Sequence, residues 1–306
     1  MGARTTPLLQ RTATGSATGS RPREGPARAA PAAGRLRGAW LLSAIVVVLM
    51  AVASAAGLLI SGLYQDPGSV SALLRGYDLV TLVVVVPVLA AALLGSRRGS
   101  QRAQLVWLSM LAYSVYNYAF YVFGSQFNDF FLVHVALFGL SIFALVLALA
   151  NLDVTGIAGR FRQHTPVRWI SAILLFLAVG LGAMWVVSSL RFAITGEPPT
   201  ESRLVLPTAG THLGYVLDLS LLVPGYALAA VLLWRRHAWG YVLATLLLTS
   251  GAVHQVSYMT ALVFQANANL PGATSFDPGE PPIALGFLIA AALLLGNLRL
   301  ATRRTR

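Results

Sequence analysis

Eight apolar runs follow one another along the chain, each close to membrane-spanning length, and polar connections of a few to about twenty residues join them. They fall at about 39–63, 77–95, 104–123, 130–151, 168–190, 213–234, 239–264 and 282–300. A helix rises about 1.5 Å per residue, so ~20 residues cross the ~30 Å hydrocarbon layer. Inside that layer every backbone N–H and C=O must find a partner within the protein, which a helix provides by itself. The expected fold is therefore an all-α integral membrane protein with eight transmembrane helices. Composition agrees: 57% of residues are hydrophobic and 10% charged, too little charge to cover a soluble domain of this size. The first run is longer than a signal-peptide apolar region, and no clean small-residue cleavage context follows it. It is read as a retained helix.

The arginines orient the bundle. Connections after even-numbered runs carry Arg97, Arg98 and Arg102; Arg160, Arg162 and Arg168; and Arg235 and Arg236. The C-terminal segment adds Arg299, Arg303, Arg304 and Arg306, and seven more arginines lie between Arg4 and Arg37. The odd-numbered connections hold only Arg75, Arg191 and Arg203. The positive-inside rule then places both termini in the cytoplasm and the protein in the cytoplasmic (plasma) membrane as a multi-pass protein. The same distribution accounts for the net charge of +12 without nucleic acid as a partner. Residues 1–38 are rich in Ala, Gly, Pro, Ser, Thr and Arg, and are expected to form a disordered basic tail. Residues 301–306 form a second, short basic tail.

The chain also repeats itself. Residues 76–98 read GYDLVTLVVVVPVLAAALLGSRR, and residues 214–236 read GYVLDLSLLVPGYALAAVLLWRR. Each stretch opens on Gly-Tyr, has an aspartate soon after (Asp78, Asp218) and a proline in mid-run (Pro87, Pro224), and closes on a pair of arginines. Trp40 and Ser43-Ala44-Ile45 in the first run match Trp169 and Ser171-Ala172-Ile173 in the fifth. Val122-Phe123 at the end of the third matches Val263-Phe264 at the end of the seventh. The expected architecture is a 4+4 internal repeat, residues 39–163 and 164–300. Four helices is an even number, so the halves share one orientation and the repeat is parallel. Matched prolines interrupting corresponding helices are the sequence pointer to a transporter site.

Polar side chains concentrate toward one side of the bilayer. Tyr113, Asn117 and Tyr121 recur every four residues and share one face of the third run. His254 and Tyr258 share a face of the seventh; aligning the run ends sets Tyr113 against His254 and Asn117 against Tyr258. Asp78 and Asp218 are placed near the outer ends of the second and sixth runs, and Asp78 stands three residues from Arg75, in range of an interfacial ion pair. Ionisable groups at membrane depth cost several kcal/mol unless they face partners or water. The expected site is an outward-facing polar and aromatic pocket lined by Tyr113, Asn117, Asp218, His254, Tyr258 and Asp78. It would bind a small polar or cationic solute, with aspartate supplying charge and tyrosine rings offering π faces.

Competing readings follow from the same residues. His134 and His254, on different helices, are candidate axial ligands for haem, or ligands for a divalent metal, in a membrane redox enzyme. No paired-histidine helix or H-E-x-x-H motif accompanies them. Absence of lysine excludes a Schiff base, and absence of cysteine excludes thiolate metal sites and dithiol chemistry. No nucleotide-binding or hydrolase motif stands in a suitable context, so the chain does not read as an enzyme. In a third reading the polar stripes are packing contacts of a non-catalytic accessory protein. The oligomeric state is not legible in the sequence.

Overall fold

A computed structural model of the chain describes residues 36–197, 199 and 202–299. The basic tails expected over 1–38 and 301–306 lie almost wholly outside the described residues. Among those described there is no strand, and the one isolated bridge pairs Phe161 with Leu298. Eight long helices make up the bundle: α1 (Arg37–Leu59), α2 (Gly68–Arg97), α3 (Gln101–Phe123), α4 (Phe131–Ala150), α5 (Val167–Thr195), α6 (Thr208–Trp234), α7 (Ala238–Asn267) and α8 (Glu280–Asn297). All but α3 are long and apolar enough to cross a membrane, and the protein is a multi-pass membrane protein.

The exception has a physical reason. Helix α3 packs against α2, α4 and α7, and Leu105, Trp107, Leu108, Met110, Leu111 and Tyr113 are wholly buried in the bundle. A helix shielded from lipid can carry tyrosine, asparagine and serine, because those groups meet protein partners instead of hydrocarbon. The trend extends to its neighbours. Helix α7 is the most buried of the seven apolar helices and the least hydrophobic, with mean hydropathy 1.2, whereas α5 is the least buried, at 2.5. The bundle is thus polar at its centre and apolar at its rim.

Close helix contacts are made through small residues, as expected where no hydrophobic force drives helices together in lipid. Gly76 on α2 faces the backbone of α7; a β-carbon there would come within 2.7 Å of Ala261 Cα. Gly251 on α7 receives the ring of Phe287 from α8. Near the arginine-bearing end, the buried Trp107 indole donates to Ser43 Oγ of α1 at 2.8 Å. At the same end Arg102 Nε donates to the Leu298 carbonyl at 3.0 Å, and Phe161 stacks on Tyr241 with ring centroids 4.6 Å apart. At the opposite end Gln265 Nε2 donates to Ser69 O and Val205 O, both at 2.9 Å, tying the segment before α6 to the start of α2.

Helices α2 and α6 are interrupted identically. Each has one π turn, Thr81–Val85 and Asp218–Leu222, directly before its proline. The Val86 N–H reaches back five residues to Thr81 O, and the Val223 N–H does the same to Asp218 O. In a regular α-helix the proline ring would collide with the carbonyl four residues earlier; the wider turn moves that carbonyl aside. The expected proline breaks are therefore π turns within continuous helices.

The spans of α2 and α6 correct one expectation. Helix α2 starts at Gly68 and α6 at Thr208, well before the apolar runs. Residues 68–76 include Ser and Arg, so hydropathy alone starts the span too late. Asp78 and Asp218 each stand ten residues into their helix, about 15 Å from its start, rather than near the outer ends.

Candidate functional site

The buried polar groups form two clusters on different faces of α3. The first is built on Asp218, from the π turn of α6. Tyr116 Oη of α3 donates to Asp218 Oδ1 at 2.5 Å, and Trp185 Nε1 of α5 donates to Oδ2 at 2.8 Å. The Tyr116 ring lies edge-on to the His254 imidazole of α7, with centroids 4.5 Å apart. Tyr113, one turn earlier on α3, covers His254 from a second direction, again at 4.5 Å. Tyr113 Oη approaches Ser257 Oγ at 3.0 Å and Thr81 Oγ1 at 3.4 Å, and donates weakly to Asn117 Oδ1 at 3.5 Å. One polar chain therefore runs from α5 through α6, α3 and α7 to the π turn of α2.

The second cluster is built on Asp78, 1% exposed. Tyr64 Oη, from the connection between α1 and α2, donates to Asp78 Oδ2 at 2.5 Å, and Tyr121 Oη of α3 donates to Oδ1 at 3.0 Å. Gly57 of α1 makes room for this arrangement; a β-carbon there would overlap both the Asp78 carboxylate and the Tyr64 hydroxyl. The His134 imidazole of α4 packs against Tyr121, with centroids 4.8 Å apart, and stacks on Tyr64 and Tyr118. The two clusters share one motif: a carboxylate, a tyrosine of α3 that donates to it, and a histidine whose ring packs against that tyrosine.

Among the described residues nine side chains keep an unpaired buried polar atom, and three of them, Asn117, His254 and His134, belong to these clusters. Asn117 Nδ2, His254 Nε2 and both ring nitrogens of His134 are buried without a partner. A buried polar group left unpaired costs on the order of 1–3 kcal/mol.

Of the residues singled out in the sequence, Tyr113 and His254 are in contact, and Asn117 and Asp218 belong to the same polar chain. The Tyr258 hydroxyl accepts the Arg203 backbone N–H at 3.2 Å, in the segment before α6. Asp78 forms no ion pair with Arg75, whose guanidinium donates instead to the Leu58 carbonyl at 2.9 Å. The polar residues close on one another rather than lining an open pocket. His134 and His254 are not brought together. Tyr116 and Tyr118 point about 200° apart around α3, and each packs against a different imidazole, so the helix runs between the two rings. Among the described residues no three His, Asp or Glu side chains are grouped to hold a metal ion.

Tyr64, Trp185 and Thr81 escaped sequence reasoning. Trp185 carried a signal: an indole in the middle of an apolar run brings an N–H that needs an acceptor. Tyr64 and Thr81 carried none, because their roles depend on helices distant in sequence. Comparison with protein-family models, with curated proteins and with solved structures finds no match to the chain.

Proposed function

We propose that the chain is a duplicated, proton-coupled carrier for a small polar or cationic solute, built from two parallel four-helix repeats that span the plasma membrane eight times with both termini in the cytoplasm. In this reading α3 is the eighth span, kept from lipid by its neighbours. The observation that carries the proposal is the contact of Tyr113 and Tyr116 with His254, beside unpaired Asn117 Nδ2 and His254 Nε2, between the π turns of α2 and α6. Unpaired donors and acceptors at the meeting point of corresponding helices are what an occluded polar solute would use. π turns recur at functional sites because they present carbonyls that a regular helix would consume.

The chemistry assigned to each residue is specific. Tyr113, Tyr116 and His254 supply ring faces and edges to a cation. Asn117 supplies a donor and an acceptor. Asp218, joined to His254 through Tyr116, is the proton-coupling group, and histidine at this depth is suited to pass a proton. Asp78, Tyr121 and His134 repeat the arrangement on the other face of α3.

The test is a thermal-shift panel on purified protein with tetramethylammonium, choline, guanidinium and neutral polar solutes. Uptake of any stabilising solute into proteoliposomes is then measured under an imposed proton gradient. A solute that raises the Tm of wild type but not of His254→Phe, and accumulates only with the gradient, supports the carrier. The accessory-protein reading is favoured by the closed packing of the cluster. It predicts no stabilising solute, with substitutions changing only stability.

A further inference from the structure

A second candidate site lies at the arginine-bearing end, away from both carboxylate clusters. A cavity of about 370 Å³ opens between the start of α5 and the end of α6, lined by Arg168 and Trp169 on one side and Trp234 and Arg236 on the other. Both indoles are unusually open, Trp169 at 75% and Trp234 at 56% exposure. The Arg168 guanidinium sits over the Trp234 ring, 6.0 Å from its centroid. Arg235 and Arg236 are exposed at the rim.

The opposing charge is missing. Among the described residues Asp153 is the acid in the connections at this end, and it is engaged locally, accepting the Gly156 N–H at 2.9 Å. Arg236 adds an energetic argument. Its φ of 53° lies in the left-handed region, where a residue other than glycine is strained. Its guanidinium donates one long hydrogen bond, from Nη1 to Tyr241 Oη at 3.4 Å, and keeps its other donors at the exposed rim.

The matching corner of the first four helices serves as an internal control. There Trp40 is half-buried, its indole N–H donates to Ser96 Oγ at 3.1 Å, and Arg97 lies over its ring at 5.7 Å. That corner is satisfied by its own side chains. Aligning Ser96-Arg97-Arg98 with Trp234-Arg235-Arg236 puts an indole where the hydroxyl acceptor stood. Trp169 then has no such acceptor, and the corner stays open.

We infer that this groove seats the phosphate headgroup of an anionic phospholipid from the leaflet on the arginine side. Paired guanidiniums recognise phosphate through charge-assisted, often bidentate hydrogen bonds. Indoles at a membrane interface hold the glycerol and upper acyl region beside it. The position at a helix end, with exposed apolar helix faces next to it, suits a lipid whose chains remain in the bilayer.

The inference is independent of any transport activity and is tested on the full-length protein in neutral detergent. Short-chain phosphatidylglycerol, phosphatidylcholine and inorganic phosphate are titrated separately, following Tm and tryptophan fluorescence. Phosphatidylglycerol should raise Tm saturably where the other two do not. Arg168→Gln with Arg236→Gln should weaken that response roughly fivefold per arginine removed, from the attraction of single cationic side chains to anionic lipid surfaces. Arg168→Lys with Arg236→Lys should keep most of it, and so should Arg97→Gln at the closed corner. An equal response to phosphatidylcholine overturns the inference, and so does an equal response to inorganic phosphate. A phosphatidylglycerol response unchanged in the double glutamine variant overturns it too. If that variant elutes aggregated, the lysine pair and the single Arg236→Gln variant carry the same comparison.

Discussion

Asp218 accepts a 2.5 Å hydrogen bond from Tyr116, and the ring of that tyrosine lies 4.5 Å from the imidazole of His254. A carboxylate of α6 and a histidine of α7 thus both contact one aromatic side chain of α3. The same helix repeats the device with Tyr121, which donates to Asp78 and packs on His134. No arginine is among the hydrogen-bond partners of either carboxylate; each is held by two aromatic donors. Aromatic donors fix position without adding a buried positive charge, which leaves the region free to accept one.

Removing the Tyr116 hydroxyl tests that coupling. Tyr116→Phe keeps the ring against His254 but leaves Asp218 with Trp185 as its one donor. An unsatisfied buried polar group costs on the order of 1–3 kcal/mol, and a charged one more. The expected result is a lower Tm in detergent, with a smaller second loss when Trp185→Phe is added, because the two donors serve one acceptor and their effects are not additive. Equal Tm values for wild type and Tyr116→Phe would remove the hydrogen bond from the energetic account.

His254→Phe separates packing from proton chemistry. Phenylalanine fills nearly the same space between Tyr113 and Tyr116 and removes a nitrogen that has no partner, so stability should hold or rise. Solute response and gradient-driven uptake should both be lost. A variant that keeps full uptake would exclude His254 from proton transfer.

The sequence singles out Asp78, Tyr113, Asn117, Asp218 and His254 as polar residues within apolar runs, whereas their partners follow from the fold. Tyr113 and His254 fall at corresponding positions when the ends of the third and seventh runs are aligned, and α3 and α7 pack directly on each other. Asp78 and Asp218 were identified, but their depth was not. Hydropathy marks where apolar residues begin, whereas α2 starts at Gly68 on a segment with serine and arginine that protein covers. The partners of the carboxylates were hidden for a different reason. Tyr64 reaches Asp78 over 14 residues and Trp185 reaches Asp218 over 33, and no local periodicity encodes such a contact. Tyr258 is of the same kind: its hydroxyl accepts the Arg203 backbone N–H from a segment 55 residues away, which no helix-face pattern encodes.

Gly57 sets the position of Asp78. Alanine at this site would push its β-carbon into the carboxylate and the Tyr64 hydroxyl, so one of them must move. Overpacking of this kind costs typically about 1–3 kcal/mol. Gly57→Ala should lower Tm by a corresponding amount. Gly139→Ala on α4, where a β-carbon meets nothing within 4 Å, should leave Tm unchanged or slightly raised. Similar behaviour of the two variants would mean that α1 can shift without disturbing Asp78.

The paired π turns make the last expectation. Each exists to relieve a proline, and each leaves backbone carbonyls less well paired than in a regular helix. Pro87→Ala restores an N–H and removes the ring, so the segment can rewind by one residue into α-helix; Pro224→Ala does the same in α6. Rewinding rotates everything on the helix before it relative to everything after it by about 100°. In α6 that would turn Asp218 away from Tyr116 and Trp185. The tertiary hydrogen bonds therefore oppose the change that the backbone favours. Hydrogen exchange with mass spectrometry resolves the contest. If the backbone prevails, peptides covering 218–223 become more protected in Pro224→Ala and Tm falls because Asp218 loses its donors. If the donors prevail, protection stays at the wild-type level and Tm is retained. Adding Tyr116→Phe to Pro224→Ala should then tip the balance, raising protection in the same peptides. Protection that never rises, even without the Tyr116 hydroxyl, would show that α7 and α5 packing, rather than the carboxylate, holds the π turn open.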